Sequence, residues 1–447
     1  MYKRYKMNYL ILAAIIFLTN CANPADKKPV DTYTAESLTT RLSNWTDVET
    51  IKPTLWSSPT IENLKNANDD EIKQFWDSIS SKGTPMVEKC NDSRSLIITF
   101  LYQSSQKDIT VSLDIKNVFL GNGTSDMKLI SLINTDIWYR TYKIPADWTI
   151  AYRFCVTDHT GTHYFTDIYN NDRIPIGAET SYSFNAFDYF SDHSKEWFHE
   201  RGGVSKGTLT EHTFVSTILE NSRSVIVYKP FGYDESKEYP SIVIFDQFLY
   251  LERVPLPTIL NNLIDEKVIP PCVAIMIDNQ PQERREKELP LYKPFADFVA
   301  LEIMPWAYKN LKISQDPKKT IIAGVSYGGL AASYIAMNYS HIFGNVLSQS
   351  GSYWRGKKVN DTYPWLIEQY KKNPKFPIRF YMDCGLQETV MRSFNNLNFI
   401  EKHRKMRDML KSKGYDVYYQ EFQSGHDWTG WRKTLPDGLM VLFNNMK

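Results

Sequence analysis

One turn constrains the fold of this chain more than any other feature. Thr320, Ile321 and Ile322 form a β-branched run, Leu330 to Met337 reads as a helix, and Gly324-Val325-Ser326-Tyr327-Gly328 stands between them. G-x-S-x-G between a strand and a helix is the setting a nucleophile elbow requires. Such a turn is too tight for large neighbours. Gly324 and Gly328 remove the clash, and the hydroxyl of Ser326 is pushed out at the top of a sheet.

The surrounding pattern supplies that sheet. A hairpin is predicted over Thr213 to Leu219 and Ser224 to Tyr228, followed by strands at Ile242 to Phe245, Val273 to Ile277, Thr320 to Ala323, Asn345 to Leu347, Ile378 to Met382 and Val417 to Phe422. Helical stretches separate them near 257–265, 295–310, 328–338 and 394–413. Strand-helix alternation predicts a mostly parallel sheet covered on both faces. With the elbow, residues 208–447 read as an α/β-hydrolase catalytic domain. Residues 36–195 instead alternate short β-rich runs with turn signals, among them Ser95 to Tyr102, Asp108 to Leu113 and Trp148 to Phe154. They predict an all-β, immunoglobulin-like sandwich. Residues 190–207 read as the linker and 22–35 as a polar tether.

A chain of 447 residues suits two domains, and a net charge of +1 gives no electrostatic case for nucleic acid or an anionic membrane surface as partner. Lys3, Arg4 and Lys6 precede an apolar run from Tyr9 to Leu18 that is too short for a comfortable membrane span. The run stops at Leu18-Thr19-Asn20-Cys21. Residues 1–21 therefore resemble a bacterial lipoprotein signal. The expectation is an exported protein, periplasmic or held at the outer membrane by an acylated Cys21. The competing reading is an ordinary cleaved signal with an incidental cysteine. Cys90 and Cys155 share a predicted domain and could bridge in an oxidising compartment, or stay buried thiols. No C-x-x-C spacing occurs, and neither a metal nor another cofactor is expected.

A serine hydroxyl needs a base to take its proton and a third group to orient that base. In this fold the chain order is Ser, acid, His. His403 lies in the charged run Glu401 to Lys405, which reads as a solvated helix face, whereas His426 follows the strand Val417 to Phe422. A loop at a strand's carboxyl end is where the base should sit, which favours His426. Asp383 and Glu388 both follow the strand Ile378 to Met382, and chemistry alone leaves the acid open between them. The oxyanion donors should be the backbone amide of Tyr327 and that of Phe248 or Gln247.

Longer motifs add a family. Ala323 to Leu330, the run Phe343 to Trp354 containing Ser348-Gln349-Ser350-Gly351-Ser352-Tyr353-Trp354, Gly425-His426-Asp427 with Trp431-Arg432, and Arg285-Glu286-Lys287-Glu288-Leu289 resemble the enterochelin (enterobactin) esterases. Gly83-Thr84-Pro85, Thr135 to Trp138 and Pro145 to Trp148 resemble their N-terminal domain. That family's G-x-x-E loop maps onto Gly385-Leu386-Gln387-Glu388, which implies Glu388 as the acid. Two positions depart from the pattern: Gln247 stands where the family has glycine, and Arg355 where it has a second tryptophan. The resemblance implies a serine esterase that cleaves the serine-ester backbone of a catecholate siderophore and releases its iron. A ferric tris-catecholate is anionic and aromatic. Arg285, Trp354, Arg355, Trp428, Trp431 and Arg432 are the candidates to bind it. The alternatives are a carbohydrate esterase of the feruloyl or acetyl-xylan type, and a surface binding protein with a dead hydrolase domain.

Overall fold

In the computed structural model, which describes residues 35–115, 124–174, 184–188, 197–358, 363–389, 398–444 and 446, the chain builds three sheets. Cys21 and the rest of residues 1–21, expected to form an export signal, lie outside the described residues. Two five-stranded sheets come from the first half. Strand Ser95–Gln103 pairs antiparallel with Ile137–Pro145 in one, and Thr149–Asp158 pairs with Thr110–Ile115 in the other. The facing sides interdigitate: Phe100 meets Tyr152 edge-on at 4.9 Å, and Ile98, Val111, Tyr142, Trp148 and Phe154 fill the space between. This is the expected sandwich.

The run Leu96 to Leu101 is buried at every position rather than at alternate ones. Helix Asp69–Lys82 is the reason. Its Phe75, Trp76 and Ile79 cover the outer face of the sheet, against Leu101 and Ile137. A strand covered on both faces shows a continuous apolar run. Helix Asp69–Lys82, with its complete capping box of Asn68 and Glu71, was not expected from the β-rich pattern.

The third sheet has eight strands: β1 (Thr208–Ser216), β2 (Asn221–Lys229), β3 (Ser241–Phe245), β4 (Val273–Ile277), β5 (Thr320–Val325), β6 (Asn345–Gln349), β7 (Arg379–Gly385) and β8 (Val417–Phe422). Their order is β1-β2-β4-β3-β5-β6-β7-β8, antiparallel up to the β2–β4 pair and parallel from there on. β5 is buried throughout. Ile322 faces the core on one side of the sheet, and Ile321, Ala323 and Val325 face the core on the other. Helices Leu256–Asp265, Tyr327–Asn338 and Phe399–Ser412 fall where helical stretches were predicted. Helix Trp428–Asn444 occupies a stretch with no predicted element.

Cys90 and Cys155 are free thiols: Cys90 follows the strand Met86–Lys89 of one sheet, and Cys155 lies within Thr149–Asp158 of the other. The bridge expected as one alternative is absent from the described residues.

An ion pair locks the loops above β3 and β4. Arg223 is fully buried and grips Glu288 at 2.7 and 2.8 Å. Glu288 also accepts from Asn279, whose side-chain oxygen accepts the Asp246 amide. Removing one partner strands a buried charge, which costs far more than the pair itself contributes. Arg223→Ala is therefore expected to destabilise the protein by about 3–5 kcal/mol. A lowered urea midpoint at unchanged slope is the readout.

Candidate active site

Ser326 closes β5 and opens helix Tyr327–Asn338, with φ 56° and ψ −120°. A non-glycine residue held there costs about 1–3 kcal/mol and persists only when its surroundings over-determine it. Here its amide donates to Gln349 at 2.9 Å, and its carbonyl accepts from Ser352 at 3.0 Å and Leu330 at 3.1 Å. A Cβ on Gly324 would stand 2.5 Å from the Gly328 carbonyl carbon, so the turn closes only with glycine. The Ser326 hydroxyl lies 3.4 Å from that of Ser352.

The other groups follow the next strands in order: Ser350 after β6, Glu388 after β7, His426 after β8. His426 Nδ1 donates to Glu388 Oε2 at 2.7 Å, which leaves Nε2 as the basic nitrogen. The second oxygen of Glu388 accepts from Ser350 Oγ at 2.6 Å and from the Gly385 amide at 2.8 Å. Burial opposes ionisation of Glu388, but the charge of and hydrogen bond from His426 hold its carboxyl below the usual range. Asp383 is engaged elsewhere, accepting from Tyr381, Gln349 and the Ser350 amide. Burial pushes its carboxyl up to about 7. The geometry thus pairs the histidine with Glu388 and leaves Asp383 under the loop.

Asp427 positions the histidine. Its carboxylate accepts the Thr429 amide at 2.7 Å and so starts helix Trp428–Asn444 directly after His426. Trp431, one turn along, donates its indole N–H to Ser350 Oγ at 2.9 Å and sets its ring edge-on to His426 at 5.0 Å.

Several expected roles change. His403 is not on a solvated face but is completely buried, its Nδ1 bonded to the Phe399 carbonyl and its ring against Tyr353. Arg285 was expected to meet an anionic substrate. Its fork instead clasps Asp246 at 2.7 and 2.8 Å, and its charge lies 5.7 Å from the Tyr327 ring. Arg355 is buried and donates to the Lys358 carbonyl. Trp354, Trp428 and Trp431 were candidate substrate contacts, yet each is only 5% exposed. Trp354 packs with Cys384, Leu386, Phe399 and Ile400, and Trp428 joins the core on one face of the sheet. At the oxyanion position, Asp246 adopts a left-handed conformation and helix Gln247–Glu252 begins at once, so the amides of Gln247 and Phe248 fall in its first turn, where no intrahelical acceptor exists. Ser350 and Ser352 were not predicted as site residues. Only their place in the motif Ser348 to Trp354 signalled them.

If Trp431 acts by holding Ser350 and the imidazole, Trp431→Phe removes one hydrogen bond and keeps the ring. Kcat for a p-nitrophenyl ester should then fall roughly 5–10-fold while KM barely moves. A rise in KM at constant kcat would instead make Trp431 a substrate contact.

The fold and these contacts have relatives. The Esterase family, described as "Putative esterase", matches residues 216–442. The chain is 25% identical to the iron(III) enterobactin esterase of Dickeya dadantii (strain 3937), across 82% of this chain and 92% of that protein. It is 24% identical to the iron(III) salmochelin esterase of Escherichia coli O6:H1, across 83% and 93%. Among solved structures, the ferric enterobactin esterase of Salmonella typhimurium superposes with a TM-score of 0.71 at 21% identity, covering 84% of this chain and 99% of that one. The Shigella flexneri enterobactin esterase determined in the presence of enterobactin gives 0.68 at 22% identity, covering 83% and 98%. The family match spans the sheet that carries Ser326, Glu388 and His426, and the chain belongs to the esterase family as a carboxylic-ester hydrolase.

Proposed function

We propose that the protein hydrolyses the serine-ester bonds of a catecholate siderophore of the enterobactin type, so that its iron can be released. The observation that carries this reading is the extent of the likeness. It runs through the sandwich as well as the catalytic sheet, over 92% of the Dickeya dadantii iron(III) enterobactin esterase. A generic esterase would share the catalytic sheet alone.

In this reading Ser326 Oγ attacks the ester carbonyl and passes its proton to His426 Nε2. Glu388 holds the imidazole and stabilises the imidazolium. The amides of Tyr327 and of Phe248 or Gln247 take the oxyanion. The imidazolium then protonates the leaving seryl oxygen, and water attacks the acyl-enzyme by the reverse route.

Steady-state hydrolysis of iron-loaded enterobactin beside methyl ferulate tests the substrate class. Faster turnover of the feruloyl ester would hand the function to the carbohydrate-esterase alternative. Ser326→Ala should lower turnover by about 10⁶-fold, and Glu388→Gln by about 10³–10⁴-fold. Asp383→Asn should cost far less, because that carboxyl touches neither the base nor the serine. A larger loss in Asp383→Asn than in Glu388→Gln would reverse the assignment of the acid.

We further propose that the protein is exported and anchored through an acylated Cys21. The basic start, the short apolar run and the cysteine that ends it support this. Cys21→Ser should move the protein from the membrane fraction to the soluble periplasm. Unlipidated wild-type protein in the soluble fraction would rule the anchor out.

A further inference from the structure

With Arg285 neutralised by Asp246, the charge that would meet an anionic substrate must come from elsewhere. A cavity of about 490 Å³ lies where the sandwich meets the catalytic domain. Its walls include Asp172 and Arg173 from the sandwich, His199 from the connecting segment, and Glu252, Arg253 and Arg432 from the catalytic domain. That volume falls in the ordinary range of small-molecule sites.

Two of these arginines are unusual. Arg253 is held between the rings of Phe248 at 5.0 Å and Trp428 at 4.6 Å. Its Nε is sealed from solvent without a hydrogen-bond partner, and among the described residues no carboxylate pairs with it. Burial lowers its pKa, and only the neighbouring charge of Glu252 opposes that. Arg432 is 8% exposed and lies over the Phe198 ring at 4.3 Å. Its Nε is likewise sealed and unpartnered, and among the described residues the one carboxylate in ion-pair contact with it, Asp172, is long at 3.4 Å. A guanidinium that is desolvated by aromatic faces and lacks a carboxylate is poised to accept an anion.

Position connects the cavity to the chemistry. Phe248 lies in the first turn after β3, beside the oxyanion amides, and Trp428 follows His426 by two residues. The rings that clamp Arg253 thus belong to the two loops that flank the reacting ester. We propose that this junction cavity is an anion subsite of the esterase, in which Arg253, with Arg432 behind it, binds one anionic catechol ring of the substrate. Arg253 is then a specificity residue that reads substrate charge.

The inference rests on the siderophore reading, and two measurements separate their fates. The first compares kcat/KM for ferric enterobactin and for p-nitrophenyl acetate in wild type and in Arg253→Met, which keeps a side chain of similar length between the rings. The loss on the ferric siderophore should exceed the loss on the neutral ester at least about tenfold, and should appear in KM. Equal losses on the two esters would overturn the subsite. The second needs no siderophore turnover. 2,3-Dihydroxybenzoate should inhibit p-nitrophenyl acetate hydrolysis more strongly than uncharged catechol, with an inhibition that weakens as salt rises. Arg253→Met should abolish that preference and Arg253→Lys should restore part of it. A preference unaltered by Arg253→Met would refute the subsite even if enterobactin is a good substrate. A preference lost on Arg253→Met would support the subsite even if enterobactin is not turned over.

Discussion

A carboxylate buried to complete inaccessibility, Glu388, organises this active site. An ion in that position is tolerated only when its lone pairs are filled. It accepts from His426 and Ser350, supplied by the loops after β8 and β6, and from the amide of Gly385 at the end of β7, whose following loop carries Glu388 itself. Satisfying one charge therefore fixes three loops at once. Trp431 extends the arrangement to helix Trp428–Asn444 by donating to the same Ser350 hydroxyl. On the other side, Ser352 and Gln349 hold the strained backbone of Ser326. The residues of β6 and its loop thus form the common wall between Ser326 and His426.

The N-terminal half reinforces the same loops. Residues just after helix Ala35–Ser43 run along the catalytic domain: the Val48 amide donates to Glu421, Thr50 Oγ1 to the Leu386 carbonyl, and Gln387 Nε2 to the Ile51 carbonyl. From the sandwich, the Thr149 amide donates to the Gln423 carbonyl at 2.9 Å. The loops that carry Glu388 and His426 are each hydrogen-bonded to parts of the chain more than 200 residues away in sequence. The first domain is hence a brace for the catalytic loops as well as a wall of the cavity that holds Arg253.

What was legible in the sequence follows from which forces are local. β4 and β8 match their predicted spans because short β-branched and apolar runs have no competing local solution. The elbow was legible because a Cβ on Gly324 would not fit, whereas one on Gly328, expected to clash as well, would meet its neighbours only at 3.6 Å and beyond, an ordinary contact. Helix Trp428–Asn444 was not, since Gly430, Pro436 and Gly438 read as breakers. Gly430 is there for contact instead: a Cβ on it would fall 2.1 Å from the Phe422 ring, so the helix packs against the sheet only without one. Tertiary packing overrode propensity. His403 failed for a related reason. Its neighbours Glu401 and Lys405 do face outward, but the side chain itself turns inward onto Tyr353. Arg285 showed a charge without its partner, since Asp246 lies 39 residues away.

The two carboxyls after β7 show how one environment separates the roles that the sequence left even. Both are fully buried, so desolvation raises both. Glu388 faces the imidazole, whose charge and hydrogen bond outweigh that burial. Asp383 faces only neutral donors and is further disfavoured by the charge of Glu388 itself. One anion in this pocket makes a second one costly, which is how paired carboxyls divide their functions. The consequences for stability have opposite sign. Between its ordinary value of 3.8 and about 7, the folded Asp383 keeps a proton that the unfolded chain has released, so it costs stability progressively as pH rises through that window. Glu388, shifted the other way, contributes stability above its unfolded value and loses it as pH falls toward its folded one. The ionised Glu388 that holds the His426 imidazole is therefore also the form that the fold favours above its unfolded value, and its charge is one of the causes that raise the neighbouring Asp383.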